Sequence, residues 1–64
     1  MLFHFHVINK MVIPDVIGSE HASLEAAREI ARKRVDQFRK RLEPNAPVRV
    51  VVTDAEDRTL FEVP

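Results

Sequence analysis

Only one segment of this sequence has the periodicity of an α-helix, and it lies in the middle of the chain. Ser23 is a suitable N-cap for it, because a serine hydroxyl can accept a hydrogen bond from a free backbone N–H group of the first turn. Pro44 is expected to end it. Apolar residues three and four positions apart form one stripe between them: Leu24, Ala27, Ala31, Val35, Phe38 and Leu42, with Ile30 beside them. One helix with one apolar stripe has to pack on a layer of another kind.

The residues before the helix predict two strands and a loop. Residues 1–8 alternate in the manner of a strand. Asn9-Lys10 fits a tight turn, and residues 11–13 fit a short second strand that Pro14 ends, because proline cannot donate to a ladder. Residues 15–22 contain the only glycine and are expected to form a loop. The core candidates of the first strand are Phe3, Phe5 and Val7.

The residues after the helix predict a β-hairpin. Residues 48–53 are rich in valine and residues 59–63 alternate, while the polar residues 54–58 form the turn between them. The order of elements is therefore β-β-α-β-β. The fold class that follows is α+β, with one helix packed on one face of a small antiparallel sheet, and residues 1–64 form a single domain.

A chain of 64 residues is near the lower limit for independent folding. A domain of this size buries only about 60% of the surface that its unfolded chain exposes, and small proteins add disulfides, a metal or oligomerisation to reach stability. The sequence contains no cysteine, which excludes disulfides and thiolate zinc sites and fits a reducing compartment. No signal peptide or membrane span is visible, so we expect a cytoplasmic protein with no membrane partner.

Several short motifs follow one another along the chain. They are Phe5-His6-Val7, Asp15-x-x-Gly18, Leu24-Glu25-Ala26-Ala27-Arg28, Val52-x-Asp54, and Leu60 with the closing Val63-Pro64. In order and spacing they resemble a family of short uncharacterised bacterial proteins that is known only as a domain of unknown function. The family pattern has a histidine at the position of His6 but not regularly at His4. It usually has a glycine where this chain has Asp57, and aspartate tolerates the left-handed conformation better than most residues. The resemblance implies a fold, and it brings no reaction, cofactor or partner.

The two histidines of the first strand, His4 and His6, are candidate metal ligands. Residues i and i+2 of a strand point to the same side, and neutral imidazole is a common metal ligand. A zinc site needs a third protein ligand, for which His21, Asp15 and Glu20 are the candidates. Because the sequence does not fix the position of any of these, we interpret the pair as the polar members of a half-exposed sheet face. We predict no metal and no cofactor.

The helix carries an excess of positive charge, although the whole chain has ten basic and ten acidic residues. Residues 24–42 hold seven basic and three acidic side chains, and such a face can bind nucleic-acid phosphates. Against this, Glu29–Lys33 and Asp36–Lys40 have the i,i+4 spacing of supporting ion pairs, and the chain has no tyrosine or tryptophan for base stacking. Nucleic-acid binding is therefore the alternative function. Its candidate contacts are Arg28, Arg32, Lys33, Arg39 and Lys40.

Two other groups of side chains have the composition of a site. The acidic turn 54–57 lacks the oxygen-ligand spacing of a calcium loop. A chain of this length also has little room for a substrate pocket, so we predict that the protein is not an enzyme. The residue types of a hydrolytic triad occur together in one loop, without a glycine-rich elbow, as Asp15, Ser19, His21 and Ser23.

The side of the sheet away from the helix predicts self-association. A single helix can cover only one side, and the other side mixes apolar and polar residues as an interface does. We therefore predict a small interaction module that forms a homodimer, by sheet face or by edge strand, or docks on a protein partner. The predicted interface residues are Leu2, His4, His6, Ile8, Val51 and Leu60. If the two histidines lie near their symmetry mates, the dimer should weaken below about pH 6.

Overall fold

The computed structural model describes residues 1–41 and 47–64. Its elements are β1 (Leu2–Asn9), β2 (Met11–Ile13), β3 (Ser19–Glu20), α1 (Leu24–Arg41), β4 (Arg49–Thr53) and β5 (Thr59–Val63). The helix packs on one face of an antiparallel sheet, which confirms the predicted α+β class. The predicted loop 15–22 was wrong in one respect, because it contains the two-residue strand β3. Two predictions, Leu42 in the helix stripe and Pro44 as the helix end, lie outside the described residues.

Strand β1 is the centre of the sheet because it pairs along both of its edges. The strand order is β2-β1-β4-β5, and all pairs are antiparallel. β3 pairs with the first residues of β1, and the hydrogen bond from the His21 N–H to the Met1 carbonyl continues this pairing. The turn between β1 and β2 is tight, as predicted, but Asn9 belongs to β1 and pairs with Met11. Lys10 alone connects the strands, in the left-handed region at φ 64°.

The core lies between α1 and the sheet. Phe3, Phe5 and Val7 of β1 are buried. The valines of β4 lie opposite this strand, with Val52 paired with Phe5 and Val50 paired with Val7. Small residues on the helix let it approach the sheet closely. The buried apolar residues are Phe3, Phe5, Val7, Ala27, Ala31, Val35, Val48, Val50 and Val52. Ile30, Phe38, Phe61 and Val63 pack around them. The prediction was wrong for Leu24, which is 39% exposed and lies outside the core.

Helix α1 begins where the sequence provides a cap. The Ser23 hydroxyl accepts a hydrogen bond from the Ala26 N–H at 3.1 Å, and the Ser23 carbonyl accepts one from the Ala27 N–H at 3.1 Å. Glu25 lies in the first turn and three basic residues lie in the last turn, each with the sign that the helix dipole favours. No helix in the described part of the chain is long and apolar enough to cross a bilayer.

The hairpin of β4 and β5 contains a β-bulge. Val52 pairs with Phe61 and Thr53 pairs with Thr59, so Leu60 is the additional residue. The bulge lets Phe61 and Val63 lie against the core, and it sets a register that alternation alone does not give.

The acidic turn between these strands uses its carboxylates internally. One Asp54 oxygen accepts the backbone N–H groups of Glu56 and Arg58, both at 2.9 Å, and the other accepts the Arg58 guanidinium at 2.9 Å. The hydrogen bond from the Arg58 backbone, with those from Glu56 and the guanidinium, holds the pKa of Asp54 below its usual value. Asp57 has φ 65°, the left-handed conformation that explains a glycine preference at this position.

Candidate functional site

A gap in the edge pairing of β1 is the starting point of the candidate site. β2 pairs with residues 7–9 and β3 pairs with residues 2–3, so the part of β1 between them has no strand beside it on this edge. The side chain of Asp15 lies in that gap. Its Oδ2 accepts the Phe5 N–H at 3.0 Å and its Oδ1 accepts the Gly18 N–H at 3.0 Å. The carboxylate therefore takes the place of a paired strand.

The electrostatics of Asp15 follow from these contacts. Burial works to raise the pKa of Asp15, but the hydrogen bonds from Phe5 and Gly18 and the charge interactions with His4 and Arg34 outweigh this effect. The pKa is held below its usual value, so Asp15 stays ionised and acts as an acceptor at neutral pH.

The backbone of Asp15 contacts both histidines of β1. Its carbonyl lies 2.8 Å from His4 Nδ1, and its N–H donates to His6 Nδ1 at 3.1 Å. The other ring nitrogen of His6, Nε2, lies 3.0 Å from the hydroxyl of Thr53, which is buried in β4. The two imidazole rings are stacked, with centroids 6.1 Å apart and an interplanar angle of 8°. Four residues from β1, the loop and β4 thus form one hydrogen-bonded cluster.

Gly18 closes the loop in a way that other residues do not allow. Its φ of 77° lies in the left-handed region, and a Cβ atom there would stand 2.9 Å from the Phe3 carbonyl oxygen. It would also stand 3.0 Å from Cε1 of His4. Both the conformation and the close approach to β1 therefore require glycine at this position.

The structure separates the residues that were considered as metal ligands. His21 lies on the core side of β1, where its ring packs against Phe3 and Phe5, and the Glu20 carboxylate pairs with the Met1 amino group at 2.9 Å. The Asp15 carboxylate is held by backbone N–H groups. Within residues 1–41 and 47–64, no group of three metal-ligating side chains comes together. His4 and His6 share a face as the strand pattern predicts, and both use ring nitrogens for hydrogen bonds.

The residues with the composition of a hydrolytic triad are also placed apart. The Ser19 hydroxyl lies 3.0 Å from Nε2 of His21, but Asp15 binds the backbone of β1 instead of this histidine. Ser23 is the helix cap.

The five basic residues predicted for nucleic-acid binding fall into two groups. At about 100° per residue, Arg28, Arg32 and Arg39 share one flank of α1, whereas Lys33 and Lys40 project from its outer face. The Arg28 guanidinium lies 4.7 Å from the centroid of the Phe61 ring, and Arg28 and Arg32 line a groove against the end of β5. Among the described residues, neither the Glu29–Lys33 pair nor the Asp36–Lys40 pair forms an ion pair.

The predicted interface residues are less exposed than the sequence suggests. Leu2, His4, His6, Ile8 and Val51 are each half-buried. Leu60, at the bulge, is 39% exposed. An interface on this face of the sheet stays a prediction.

A second apolar surface lies at the β2 edge of the sheet, and the sequence interpretation missed it. β2 is exposed along its whole length, and the loop that follows exposes two further apolar side chains. We call these five residues the apolar edge: Met11 (74% exposed), Val12 (61%), Ile13 (53%), Val16 (82%) and Ile17 (88%). The available signal was an apolar pair, Val16-Ile17, inside a segment otherwise typical of a loop.

A comparison with known families finds a match that includes all of the motifs. The family model for a domain of unknown function, DUF6894, matches residues 2–64. The chain belongs to this family. No curated protein and no solved structure matches it significantly.

The structure explains two motifs of this DUF6894 chain. In Asp15-x-x-Gly18, the aspartate fills the gap in the edge of β1 and the glycine makes the turn that returns the chain to β1. In Phe5-His6-Val7, Phe5 and Val7 enter the core while His6 faces the loop. Both motifs therefore serve one contact, the attachment of the loop to the central strand.

Proposed function

We propose that this DUF6894 protein is a small non-enzymatic interaction module that forms a homodimer through its β2 edge. The observation that carries the proposal is the apolar edge, whose five side chains are each more than half exposed. Contiguous apolar surface of this kind marks interaction sites in soluble proteins. An exposed strand edge also presents unpaired N–H and C=O groups that a second strand can satisfy.

A second copy of the chain is the partner that fits this edge. Antiparallel pairing of two identical strands is generated by a two-fold axis, so the same surface serves both subunits. An axis through the middle of β2 brings Val12 next to Val12 of the partner subunit, and Met11 next to Ile13 of the partner subunit. Residues 11–14 carry no charge, so no like charges oppose this pairing.

The size of the core supports the same proposal. In the described residues the core has nine buried apolar residues. Three come from β1, three from α1 and three from residues 48–52, and two of the nine are alanines. A single core of this size gives little stability. Joining two sheets at β2 would bury the apolar edge and extend the layer that Met11 and Ile13 share with Val7.

The dimer makes a direct prediction for a charged substitution in β2. Val12→Lys should weaken self-association by at least about a hundredfold, because two lysines would face each other across the axis and like charges at an interface cost several kcal/mol. Val12 is 61% exposed in the monomer, so the fold should persist. Sedimentation velocity over a dilution series, with circular dichroism as the check on folding, measures both effects.

Leu60→Lys is the matched control, because Leu60 is an exposed apolar residue on β5, at the other end of the sheet. We expect this variant to associate as the wild type does. If Leu60→Lys dissociates the dimer and Val12→Lys does not, the interface lies on the β5 side or the open face, and the β2 proposal is wrong. A wild-type protein that stays monomeric at high micromolar concentration would instead favour docking on another protein.

Nucleic-acid binding remains the alternative proposal, and the shared flank of Arg28, Arg32 and Arg39 supports it. These cations form no ion pair within the described part of the chain. Binding through phosphates should fall steeply with salt, whereas association through apolar surface should not. A fluorescence-anisotropy titration with single- and double-stranded oligonucleotides at two salt concentrations separates the two functions, with Arg32→Ala as the variant that weakens only the first.

The proposal includes a cytoplasmic location and the absence of catalysis. The lack of cysteine supports the location, because such a chain needs no oxidising compartment. The engagement of Asp15 with the backbone, away from the Ser19–His21 pair, supports the second part. Cell fractionation with an antibody to the protein tests the location.

A further inference from the structure

We infer that the contact between Asp15 and His6 is a latch that opens when His6 takes up a proton, releasing the loop of residues 14–18 from β1. The inference goes beyond the proposed function, and only its effect on self-association rests on that function. The geometry fixes where the hydrogen atoms of this contact lie. A backbone N–H can only donate, so the 3.1 Å contact from Asp15 N makes His6 Nδ1 an acceptor without a proton. The proton of neutral His6 is therefore on Nε2, which donates to the Thr53 hydroxyl at 3.0 Å.

Protonation of His6 removes this arrangement. Imidazolium carries a hydrogen on both nitrogens and accepts no hydrogen bond at either. The new Nδ1–H would point at the Asp15 N–H, with the two nitrogens 3.1 Å apart. Two donors at that distance repel each other, so the loop and the ring must separate. The folded arrangement therefore accepts only neutral His6.

His4 responds in the opposite way. Its Nδ1 lies 2.8 Å from the Asp15 carbonyl, which can only accept, so Nδ1 of neutral His4 already carries the proton. A second proton would go to Nε2, and the bond to the Asp15 carbonyl would remain. His4 can thus be protonated with the latch closed, whereas His6 cannot. Because the rings are stacked at 6.1 Å, a charged His4 also opposes a charge on His6.

Several charged groups lie near His4 and His6. Asp15 in the loop and Asp54 and Asp57 at the β4–β5 turn line the same depression as the two histidines. The charge of Asp15 interacts with His4 and with Arg34 on α1. The direction of the Asp15 N–H distinguishes the two histidines, because it faces His6 alone.

The released segment carries part of the apolar edge. The hydrogen bonds that join residues 14–18 to β1 all run through Asp15, from its N–H, its carbonyl and its Oδ2. Loss of one of these three should loosen Val16 and Ile17, which are adjacent in sequence to Asp15 and are the two most exposed residues of that edge. Acidification should therefore first mobilise the loop and then weaken any self-association that uses it.

The direction in which pH changes the stability depends on how many protons the folded and unfolded states bind. A closed latch needs an acceptor at His6 Nδ1, whereas the unfolded chain places no such demand on residue 6, and stability rises with pH wherever the unfolded state binds more protons. The stability that the latch contributes is therefore present at neutral pH and falls on acidification through the histidine range. One proton of difference changes the folding equilibrium constant by at most about tenfold per pH unit.

The test uses two asparagine variants. In His6→Asn the amide oxygen can accept the Asp15 N–H but cannot be protonated, and in His4→Asn the amide nitrogen can donate to the Asp15 carbonyl. Urea melts between about pH 7.5 and 5 should show a decline of stability in the wild type and in His4→Asn that is reduced in His6→Asn. The slope with pH is the readout, so a uniform loss of stability from the broken Thr53 bond does not obscure it. His21 is present in all three proteins, so any contribution from it cancels in the comparison.

NMR tests the atoms directly, whether the protein is monomeric or dimeric. Ring ¹⁵N shifts at neutral pH should show the Nε2–H form of His6 and the Nδ1–H form of His4. The Asp15 amide should lose its protection from exchange as His6 is protonated. An Nδ1–H form of His6 at neutral pH, an Asp15 amide that stays protected while His6 titrates, or an unchanged pH slope in His6→Asn would each overturn the latch.

Discussion

Replacing Phe5 with alanine should leave most of the protein unfolded at room temperature. The Phe5 side chain is 2% exposed, its centroid lies 5.5 Å from that of the His21 ring, and the Arg34 guanidinium lies 5.0 Å from its face. Truncating a buried phenylalanine costs about 3–5 kcal/mol, and a single core of this size rarely supplies more than about 5 kcal/mol. Far-ultraviolet circular dichroism with a urea melt measures the folded fraction.

Phe38→Ala is the matched control for this substitution. Phe38 is the same residue type at the margin of the same core, and it is half-buried. Its truncation should lower the free energy of unfolding by clearly less than that of Phe5. A cooperative melt of Phe5→Ala close to that of the wild type would contradict the placement of β1 in the core.

Asp15→Asn should have the second largest effect. Each carboxylate oxygen accepts one backbone N–H, from Phe5 and from Gly18. Asparagine keeps one acceptor oxygen and turns donor hydrogens toward the other N–H. Hydrogen bonds to charged groups contribute roughly 1.5–3 kcal/mol each, so we expect the free energy of unfolding to fall by about 2–4 kcal/mol at neutral pH. Urea melts of the two proteins at neutral pH measure the difference.

The same comparison has a defined pH dependence. Burial works to raise the pKa of Asp15 in the folded protein. The hydrogen bonds from Phe5 and Gly18 outweigh burial and hold this pKa below its usual value. This contribution is complete above the ordinary aspartate value of about 3.9 and is lost as the pH falls through the lower folded value. Wild type and Asp15→Asn should therefore converge in acid. Asp54→Asn is the control, because its carboxylate also accepts two backbone N–H groups but lies in an exposed turn. A difference that persists unchanged to the lowest pH would contradict the role of the charge.

The helix and the strands could be predicted because their signals are local. The spacing of Ala27, Ala31 and Val35 defines one face of a helix, and the alternation of β1 separates Phe5 from His6 without reference to any other segment. The same reasoning gave the hairpin of β4 and β5. It did not give the bulge at Leu60, because a bulge depends on the pairing of two strands.

The candidate site could not be predicted in the same way. The role of Asp15 depends on the point at which β2 stops pairing and β3 begins, and this is a property of three strands together. A two-residue strand such as Ser19–Glu20 leaves no periodicity to read. The glycine at position 18 indicated a loop, but it contained no information about the strand against which the loop would lie.

The apolar edge was missed for a different reason. Alternation predicts which side of a strand faces the core, but it does not predict whether the strand lies in the middle or at the edge of a sheet. Met11, Val12 and Ile13 form a run in which both sides are apolar, which is typical of a strand buried on both faces. The structure places this run at an edge, where all three residues are exposed.

The central position of β1 determines when the sheet can be completed during synthesis. The bonded side chains of His6 and Thr53 are 47 positions apart in sequence. A ribosome adds about 5–20 residues per second, so β1 is synthesised on the order of seconds before β4. During that interval β1 has only the short strands β2 and β3 beside it in the sheet. Its two phenylalanines, Phe3 and Phe5, then lack the facing valines of β4, and each new chain presents an incomplete core to the chaperones and to other nascent chains of the cell.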